Sequence, residues 1–258
     1  MFRELIKYRD LLYMLVLRDI RIRYKQAVMG FIWAVFMPII AITSGVLVKA
    51  AMSIYAGKSL DLNGIISVSV KVLPWSFFMS AVRFSVQSLI GNSELITKIY
   101  FPREVLTIAP ILACLFDFSI AGITLIIFLS IVQVGLSIYL LWVPLILLAL
   151  ILFTTGIGLM LAAANLFYRD IKYVVEIILM FGIFYTPVFY ETKIFGKWGP
   201  LLLLNPISSI LEILSNVIVL HNSPDPFWLA YAVLSSLLVF MVGVHIFHKK
   251  EPYFAENI

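Results

Sequence analysis

The chain has 258 residues, of which 62% are hydrophobic and only 13% charged, and its formal net charge is +5. Soluble domains carry about 25% charged residues, so a soluble fold could not bury this much apolar surface. The excess of Lys and Arg does not indicate nucleic-acid binding, because these residues cluster at the ends of apolar segments, where membrane orientation and anionic lipids explain them. The composition therefore predicts an integral membrane protein.

The first 27 residues combine an apolar set with charges at both ends, which is typical of an amphipathic helix at the membrane interface. Two roles are open for this helix: a membrane anchor alone, or an anchor that also contacts a cytoplasmic partner. Its end is densely basic and directly precedes the first long apolar run. The basic residues are Arg18, Arg21, Arg23 and Lys25.

Six segments have the roughly 20 mostly apolar residues that a membrane-spanning helix needs. They are residues 28–48, 70–90, 105–131, 142–165, 171–190 and 227–247. We therefore predict an all-α membrane protein, a single domain over residues 1–258, with an external segment 191–226 and a tail 248–258. Thirteen of the 19 Lys and Arg residues then lie on one side, which predicts that both termini are cytoplasmic.

A seventh apolar segment, residues 201–220, has polar residues at helical spacing, which form one stripe. They are Asn205, Ser209, Glu212 and Asn216. This pattern favours an interfacial or re-entrant helix over a lipid-exposed span. Long loops with a helix of their own are usually functional, so we expect a function for the external segment.

Charged residues inside predicted spans are costly and mark functional positions. Arg83 and Asp117 lie deepest, on adjacent spans, and a mutual pair between them is one prediction. Each could instead face the bundle interior or a water-filled path. Lys71 is expected to extend toward the outer interface, and Glu176 to lie near the inner one.

Catalytic and metal-binding patterns do not emerge from the sequence. Residues 57–59, Gly-Lys-Ser, resemble the end of a phosphate-binding loop, but Met52 replaces the glycine that the motif requires. His245 and His248 lack partners at ligand spacing and are expected to mark the inner end of the last span. We therefore expect no enzyme activity, cofactor or metal in this chain.

The predicted cytoplasmic loop 91–104 contains a short helical pattern, which Asn92 or Ser93 is expected to cap and Pro102 to end. It is either an ordinary connecting loop or a helix that docks into an ATPase groove. Its residues are Asn92, Ser93, Glu94, Leu95, Ile96, Thr97 and Lys98.

Aromatic residues on the first and fifth predicted spans have two interpretations. They are either lipid-facing and interfacial residues, or the lining of a path along which sugar rings slide. The candidates are Phe31, Trp33, Phe36, Phe184, Tyr185 and Tyr190.

Three motifs together resemble type-2 ABC export permeases, and more narrowly the Wzm-type branch that exports O-antigen polysaccharide. The first is Arg18-Asp19 followed by Arg23-Tyr24-Lys25, Gly30, Trp33 and Pro38. The second is the loop 98–104, KIYFPRE. The third is the segment 165–190, with Phe-Tyr-Arg-Asp at its start and Thr-Pro-Val near its end.

The resemblance implies a permease subunit in the bacterial inner membrane, which pairs with a second copy of itself and with two ABC nucleotide-binding subunits. Those subunits would bind ATP and Mg²⁺. The implied substrate is an undecaprenyl-diphosphate-linked polysaccharide. The resemblance makes 92–98 the coupling helix, 191–225 the gate helices, and the first and fifth spans a lateral gate.

Further expectations and rivals follow from this resemblance. The basic residues before the first span are candidates for binding the lipid diphosphate. Exporters of teichoic acid, capsule, drugs or lipids share the fold and remain alternatives. Two alternatives belong to other functional classes. One is an ion-coupled transporter that uses Arg83 and Asp117 as a relay, and the other is a structural membrane subunit without a transport path.

Overall fold

The computed structural model describes residues 2–25, 32–55 and 62–256, which are helices joined by short connections, without a β-strand among them. The α-helices are α1 Phe2–Lys7, α2 Arg9–Tyr24, α3 Ile32–Tyr55, α4 Leu62–Gln87, α5 Ser93–Lys98, α6 Glu104–Ile131, α7 Val143–Phe167, α8 Ile171–Tyr185, α9 Gly199–Leu203, α10 Pro206–Ile218 and α11 Pro226–Lys250. The 3-10 helices are Ile90–Asn92, Ile138–Trp142, Thr192–Trp198 and Glu251–Tyr253. The all-α prediction is confirmed for the described residues.

Five helices in the described part of the chain are long and apolar enough to cross a membrane. They are α3, α4, α6, α7 with the 3-10 helix before it, and α11, which match predicted spans one to four and six. The second span begins at Leu62, earlier than predicted. Residues 62–69 are less apolar than the rest of the span, but they belong to the same helix. Residues 28–31 of the predicted first span lie outside the described residues.

The predicted fifth span, 171–190, is helical only over α8, from Ile171 to Tyr185. The helix ends there because Pro187 forces the residue before it out of the helical region, and Thr186 is extended with φ −101° and ψ 131°. Fifteen residues at 1.5 Å each give about 22 Å, which is short of the roughly 30 Å hydrocarbon core. The six-span count therefore stays a prediction.

Helix α4 is the centre of the bundle, and α3, α6, α7, α8 and α10 pack around it. Most of its residues are buried, whereas most residues of α3 and α8 are exposed in the single chain. The main apolar core forms where α4 meets its neighbours, around Val70, Ala81 and Leu150. The exposed faces of α3 and α8 leave room for lipid or for another subunit.

Helices α7 and α11 approach each other closely at two glycines. A Cβ on Gly243 would lie 2.4 Å from the carbonyl oxygen of Gly156, and a Cβ on Gly156 would lie 2.6 Å from the carbonyl oxygen of Val239. Small residues allow this backbone contact, which is a common means of helix association in membranes.

Helix α10 is buried inside the protein, in contact with α4, α7 and α11. Its start is set by Pro206 in the first turn and by the side chain of Asn205, which accepts a hydrogen bond from the Ile207 amide at 3.2 Å. Ser209 and Glu212 of its polar stripe face protein. Whether the helix is interfacial or re-entrant stays a prediction.

A second apolar cluster lies at the end of the bundle that carries α5. Here Leu15, Ile96 and Phe101 pack with Leu89, which follows α4, and with residues from α6, α7 and α11. The chain beyond α11 folds back onto this cluster, and the fully buried Phe254 packs edge-on against Phe247 with ring centroids 5.1 Å apart.

Candidate functional site

The predicted coupling segment, Asn92–Lys98, is helical, with Ser93–Lys98 forming α5. Ile96 is buried and fixes the helix to the second apolar cluster. Glu94, Thr97 and Lys98 are exposed, and Lys98 donates to Glu94 one turn earlier at 3.0 Å. A short helix with one buried anchor and an exposed polar face is suited to docking against another protein.

The side chain of Asn92 does not cap α5, so that prediction is wrong, and Ser93 provides no side-chain cap either. Asn92 instead accepts a hydrogen bond from Arg18 Nη1 on its Oδ1 at 2.8 Å, and donates from Nδ2 to the Ser88 carbonyl at 2.8 Å. A long-range partner has displaced the local cap. The contact joins α2 to the coupling segment.

The four basic residues before the first span separate into two groups. Arg18 is held by Asp19 and Asn92, and Arg23 pairs with Asp117. Arg21 and Lys25 are exposed. Arg18, Arg21 and Lys25 line a shallow cavity of about 410 Å³ on α2, together with Met14, Leu17 and Ile22.

A larger cavity of about 590 Å³ lies between the end of α2 and helices α3, α4 and α6. Its polar end holds Asp117, which pairs with Arg23 and accepts a hydrogen bond from the Tyr24 hydroxyl at 2.7 Å. Burial and this hydrogen bond raise the pKa of Tyr24, so the phenol stays protonated and keeps donating. The apolar wall is aromatic. It includes Trp33, Phe77, Phe84 and Phe118.

Arg83 and Asp117 do not form the mutual pair that the sequence suggested. Arg83 donates to both carboxylate oxygens of Glu176, from Nε at 2.7 Å and from Nη2 at 2.8 Å. It therefore joins α4 to α8, whereas Asp117 on α6 faces Arg23 on α2. The two side chains face different neighbouring helices. Each therefore pairs with a residue that the sequence did not suggest as its partner.

Lys71 does not extend to a membrane interface, so that prediction is also wrong. Its side chain is 1% exposed, and Nζ donates to Glu212 Oε2 at 2.6 Å. Glu212 Oε1 also accepts a hydrogen bond from the Thr192 hydroxyl at 3.0 Å. A buried charge requires such a partner, and α10 provides it. The regular spacing of polar residues in 201–220 indicated Glu212 but not its partner.

The predicted path aromatics lie in two regions. Trp33 lines the larger cavity and contacts Phe36 edge-on, with ring centroids 5.7 Å apart. Phe184 and Tyr185 are exposed near the end of α8, and the Tyr190 hydroxyl donates to the Phe184 carbonyl at 2.8 Å. Phe31 lies outside the described residues, as do residues 57–59.

The end of the last span holds contacts that the sequence did not suggest. His248 contacts the buried carboxylate of Glu104, and the Arg103 guanidinium donates to the Glu251 carbonyl. His248 therefore lies in the last turn of α11 and attaches it to the start of α6, whereas the assignment of this end to the inner side stays a prediction. Among the described residues, His, Cys, Asp and Glu form no cluster that could hold a metal ion.

Residues 10–219 match the family described as ABC-2 type transporter. The chain is 26% identical over 250 residues to an O-antigen export system permease protein RfbA of Klebsiella pneumoniae, covering 96% of this chain and 94% of that protein. It is also 26% identical over 259 residues to the O-antigen export system permease protein RfbA of Myxococcus xanthus, covering 99% and 98% of the two chains.

Proposed function

Because the chain belongs to the ABC-2 type transporter family, we propose that it is the permease subunit of an ATP-driven exporter of undecaprenyl-diphosphate-linked polysaccharide of the O-antigen type. The observation that carries the proposal is the end-to-end similarity to permeases named for O-antigen export. The protein would lie in the bacterial inner membrane, with the lipid-linked glycan and membrane lipids as ligands and no role in nucleic-acid binding.

The proposed topology has six spans with both termini in the cytoplasm. The fifth span in this proposal is α8, and the turn after it continues to the external surface. The segment 191–226, with α9 and α10, then lies at the external end and forms the gate. This orientation places α2, α5 and the C-terminal turn on the side from which an ATPase would act.

The proposed assembly contains two copies of this chain and two ABC ATPase subunits, which bind the ATP and Mg²⁺. The exposed faces of α3 and α8 meet the second copy, and the export path runs between the two permeases. The candidate aromatic residues lie on these faces or beside them, which supports their role as a sugar-contacting wall of the path and its lateral gate. They are Trp33, Phe36, Phe184, Tyr185 and Tyr190.

The coupling segment transmits the power stroke in this proposal. Its exposed face, with Glu94, Thr97 and Lys98, would enter a groove of the ATPase, and its buried Ile96 would pass the movement to the bundle. The hydrogen bond between Arg18 and Asn92 carries the same movement to α2. This supports the second of the two roles considered for α2, which is contact with the coupling machinery as well as anchoring.

Arg21 and Lys25 are exposed and pair with no carboxylate among the described residues, which makes them better candidates for attracting the lipid diphosphate than Arg23, whose charge is neutralised by Asp117. Permeases for teichoic acid, capsule, drugs or lipids remain the alternatives within the fold. An ion-coupled relay has less support, because Arg83 and Asp117 are paired separately.

Gene deletion and complementation test the function directly. The gene is deleted in its host, and glycan display at the cell surface and lipid-linked glycan retained in the inner membrane are both measured. We expect display to be lost and the retained intermediate to accumulate, and both to be restored by this chain together with an active ABC ATPase, but not with an ATPase that cannot hydrolyse ATP. Unchanged display after deletion would refute the proposal.

A further inference from the structure

Two rungs of polar contacts connect α4 to α10 inside the bundle. The hydroxyls of Ser67 and Ser215 are 2.7 Å apart, and Lys71 Nζ lies 2.6 Å from Glu212 Oε2. Residues 67 and 71 are one turn apart on α4, and residues 212 and 215 are one turn apart on α10, so the rungs join matching faces of the two helices. We call these four residues and Thr192 the polar seam.

The polar seam continues into the turn that follows α8. Glu212 Oε1 accepts a hydrogen bond from Thr192 at 3.0 Å, and Lys71 Nζ donates to the Tyr190 carbonyl at 3.5 Å. Lys71 therefore contacts the turn itself, and Glu212 contacts the residue at which the turn joins the 3-10 helix Thr192–Trp198. The turn is otherwise short of regular structure, because residues 186–191 belong to no helix.

Stability of the bundle alone does not require these charges. Burying an ion pair costs desolvation, and well-packed apolar residues of similar size are often as stabilising or more so. What an apolar pair cannot provide is the attachment of the Tyr190 carbonyl and the Thr192 hydroxyl. The specific property of Lys71 and Glu212 is thus that they fix the position of the turn.

We propose that Lys71 and Glu212 are positioning residues that hold the turn 186–192 closed over the external end of the export path. The inference rests on the proposed function, which places this turn beside the path and makes Tyr190 a gate aromatic. Tyr190 is held in turn by its hydroxyl, which donates to the Phe184 carbonyl. Releasing the seam would remove the polar contacts at Tyr190 and Thr192, so the turn would be held only by the hydrogen bond from Asn205 to Thr186 and by the buried Val188.

Thiol labelling measures the opening of the turn. Val188 is fully buried, so a cysteine there reacts with a membrane-impermeant maleimide only when the turn opens. The parent variant carries V188C together with Cys114→Ala, which removes the single natural cysteine. It is assembled with its ATPase. Lys71→Met alone would leave Glu212 buried without a partner, so the test variant is the apolar pair Lys71→Met with Glu212→Met. Lys193→Met, at an exposed lysine of the same segment, is the matched control.

We expect the apolar pair to fold and to be labelled about tenfold faster than the parent, since a hydrogen bond to a charged group shifts an opening equilibrium by roughly that factor or more. Lys193→Met should be labelled at the parental rate. Thr192→Val removes only the tether to Glu212 and should give a smaller rise, which also keeps the test valid if the apolar pair fails to fold. Parental labelling in the folded variants would overturn the proposal.

Export per ATP hydrolysed is the second measurement, made with native Val188. A freed turn should lower it several-fold in the apolar pair relative to the wild-type complex. Faster labelling with unchanged export would overturn the role at the path and leave only a structural tether. If the wild-type chain itself exports no glycan, the proposed function fails, whereas the labelling still decides whether the seam holds the turn.

Discussion

Arg18 Nη1 donates a hydrogen bond to Asn92 Oδ1 at 2.8 Å, across 74 positions of sequence, and joins α2 to the start of the coupling segment. Both residues have second partners. Arg18 also donates to Asp19 from Nε at 3.0 Å and Nη2 at 2.9 Å, and Asn92 donates to the Ser88 carbonyl just beyond α4. The coupling segment is thereby fixed to α2 and to the end of α4. A displacement of this segment would therefore be transmitted to both helices.

Removing this link should uncouple ATP hydrolysis from export. In Asn92→Ala, α5 keeps its buried anchor Ile96 but loses its connection to Arg18. We expect glycan export per ATP to fall about tenfold, the effect of one lost hydrogen bond to a charged group, while the ATPase activity of the complex persists. The measurement is ATP hydrolysis and glycan transport in the same proteoliposomes.

Asn92→Asp is the matched variant for this experiment, because it keeps an oxygen acceptor for Arg18 and should retain most of the coupling. Arg9→Ala removes an exposed arginine at the start of α2 and should leave the ratio of export to ATP hydrolysis unchanged. Equal ratios in Asn92→Ala and wild type would show that the coupling segment works without this link.

The pair between Arg83 and Glu176 attaches α8 to α4. Because the two side chains are 41% and 40% exposed in the single chain, we expect each single change, Arg83→Gln or Glu176→Gln, to lower stability by only about 1 kcal/mol. The double variant should lose little more than either single one, since both remove the same interaction. Thermal unfolding of the purified permease without its ATPase, for the wild type, the two single variants and the double variant, completes a double-mutant cycle and gives the coupling energy of the pair.

Lys98 and Glu94 provide the control for that cycle. They form an ion pair at 3.0 Å whose side chains are 70% and 84% exposed, so the equivalent cycle should give a coupling energy near zero. Strictly additive effects for Arg83 and Glu176 would mean that the pair does not hold α8.

Local sequence patterns predicted the helices well and their partners poorly. Apolar length located α3, α6, α7 and α11, because a span is defined by its own residues. The end of α8 was predicted too late, because the conformational effect of Pro187 outweighs the apolar character of the residues after it. The partners of Lys71 and Arg83 depend on which helices become neighbours, and no spacing within one helix contains that information. Coupling-segment residues were located by their own polar pattern, but the link between Asn92 and Arg18 was not.

The glycine contact between α7 and α11 should tolerate no larger residue. In Gly243→Ala the new Cβ would lie 2.4 Å from the carbonyl oxygen of Gly156, so the two helices must separate. We expect a loss of stability of about 1–3 kcal/mol, as for other overpacked sites. Gly122→Ala in α6 is the control, because its Cβ would meet no atom within 4 Å, and a helical Gly-to-Ala change there should be neutral or stabilising. Unfolding temperatures of the two variants in the same detergent decide the matter.

Arg21 and Lys25, in the last turn of α2 and just beyond it, should determine how tightly the lipid diphosphate is bound. In Arg21→Gln with Lys25→Gln, two exposed cations are removed while the pair between Arg23 and Asp117 remains. At about 1 kcal/mol for each basic residue near anionic groups, KM for the lipid-linked glycan should rise about ten- to thirtyfold with little change in kcat. The control is Lys7→Gln with Arg9→Gln, which removes the same charge from exposed positions near the start of the chain. Transport in proteoliposomes at several substrate concentrations gives both constants.

Because exposed charges are screened by salt, the wild-type KM for the lipid-linked glycan should also rise with ionic strength. The rise should be smaller in Arg21→Gln with Lys25→Gln than in the control. Equal shifts in the two double variants would assign the effect to the overall charge of the surface, and no shift in either would exclude Arg21 and Lys25 from substrate binding.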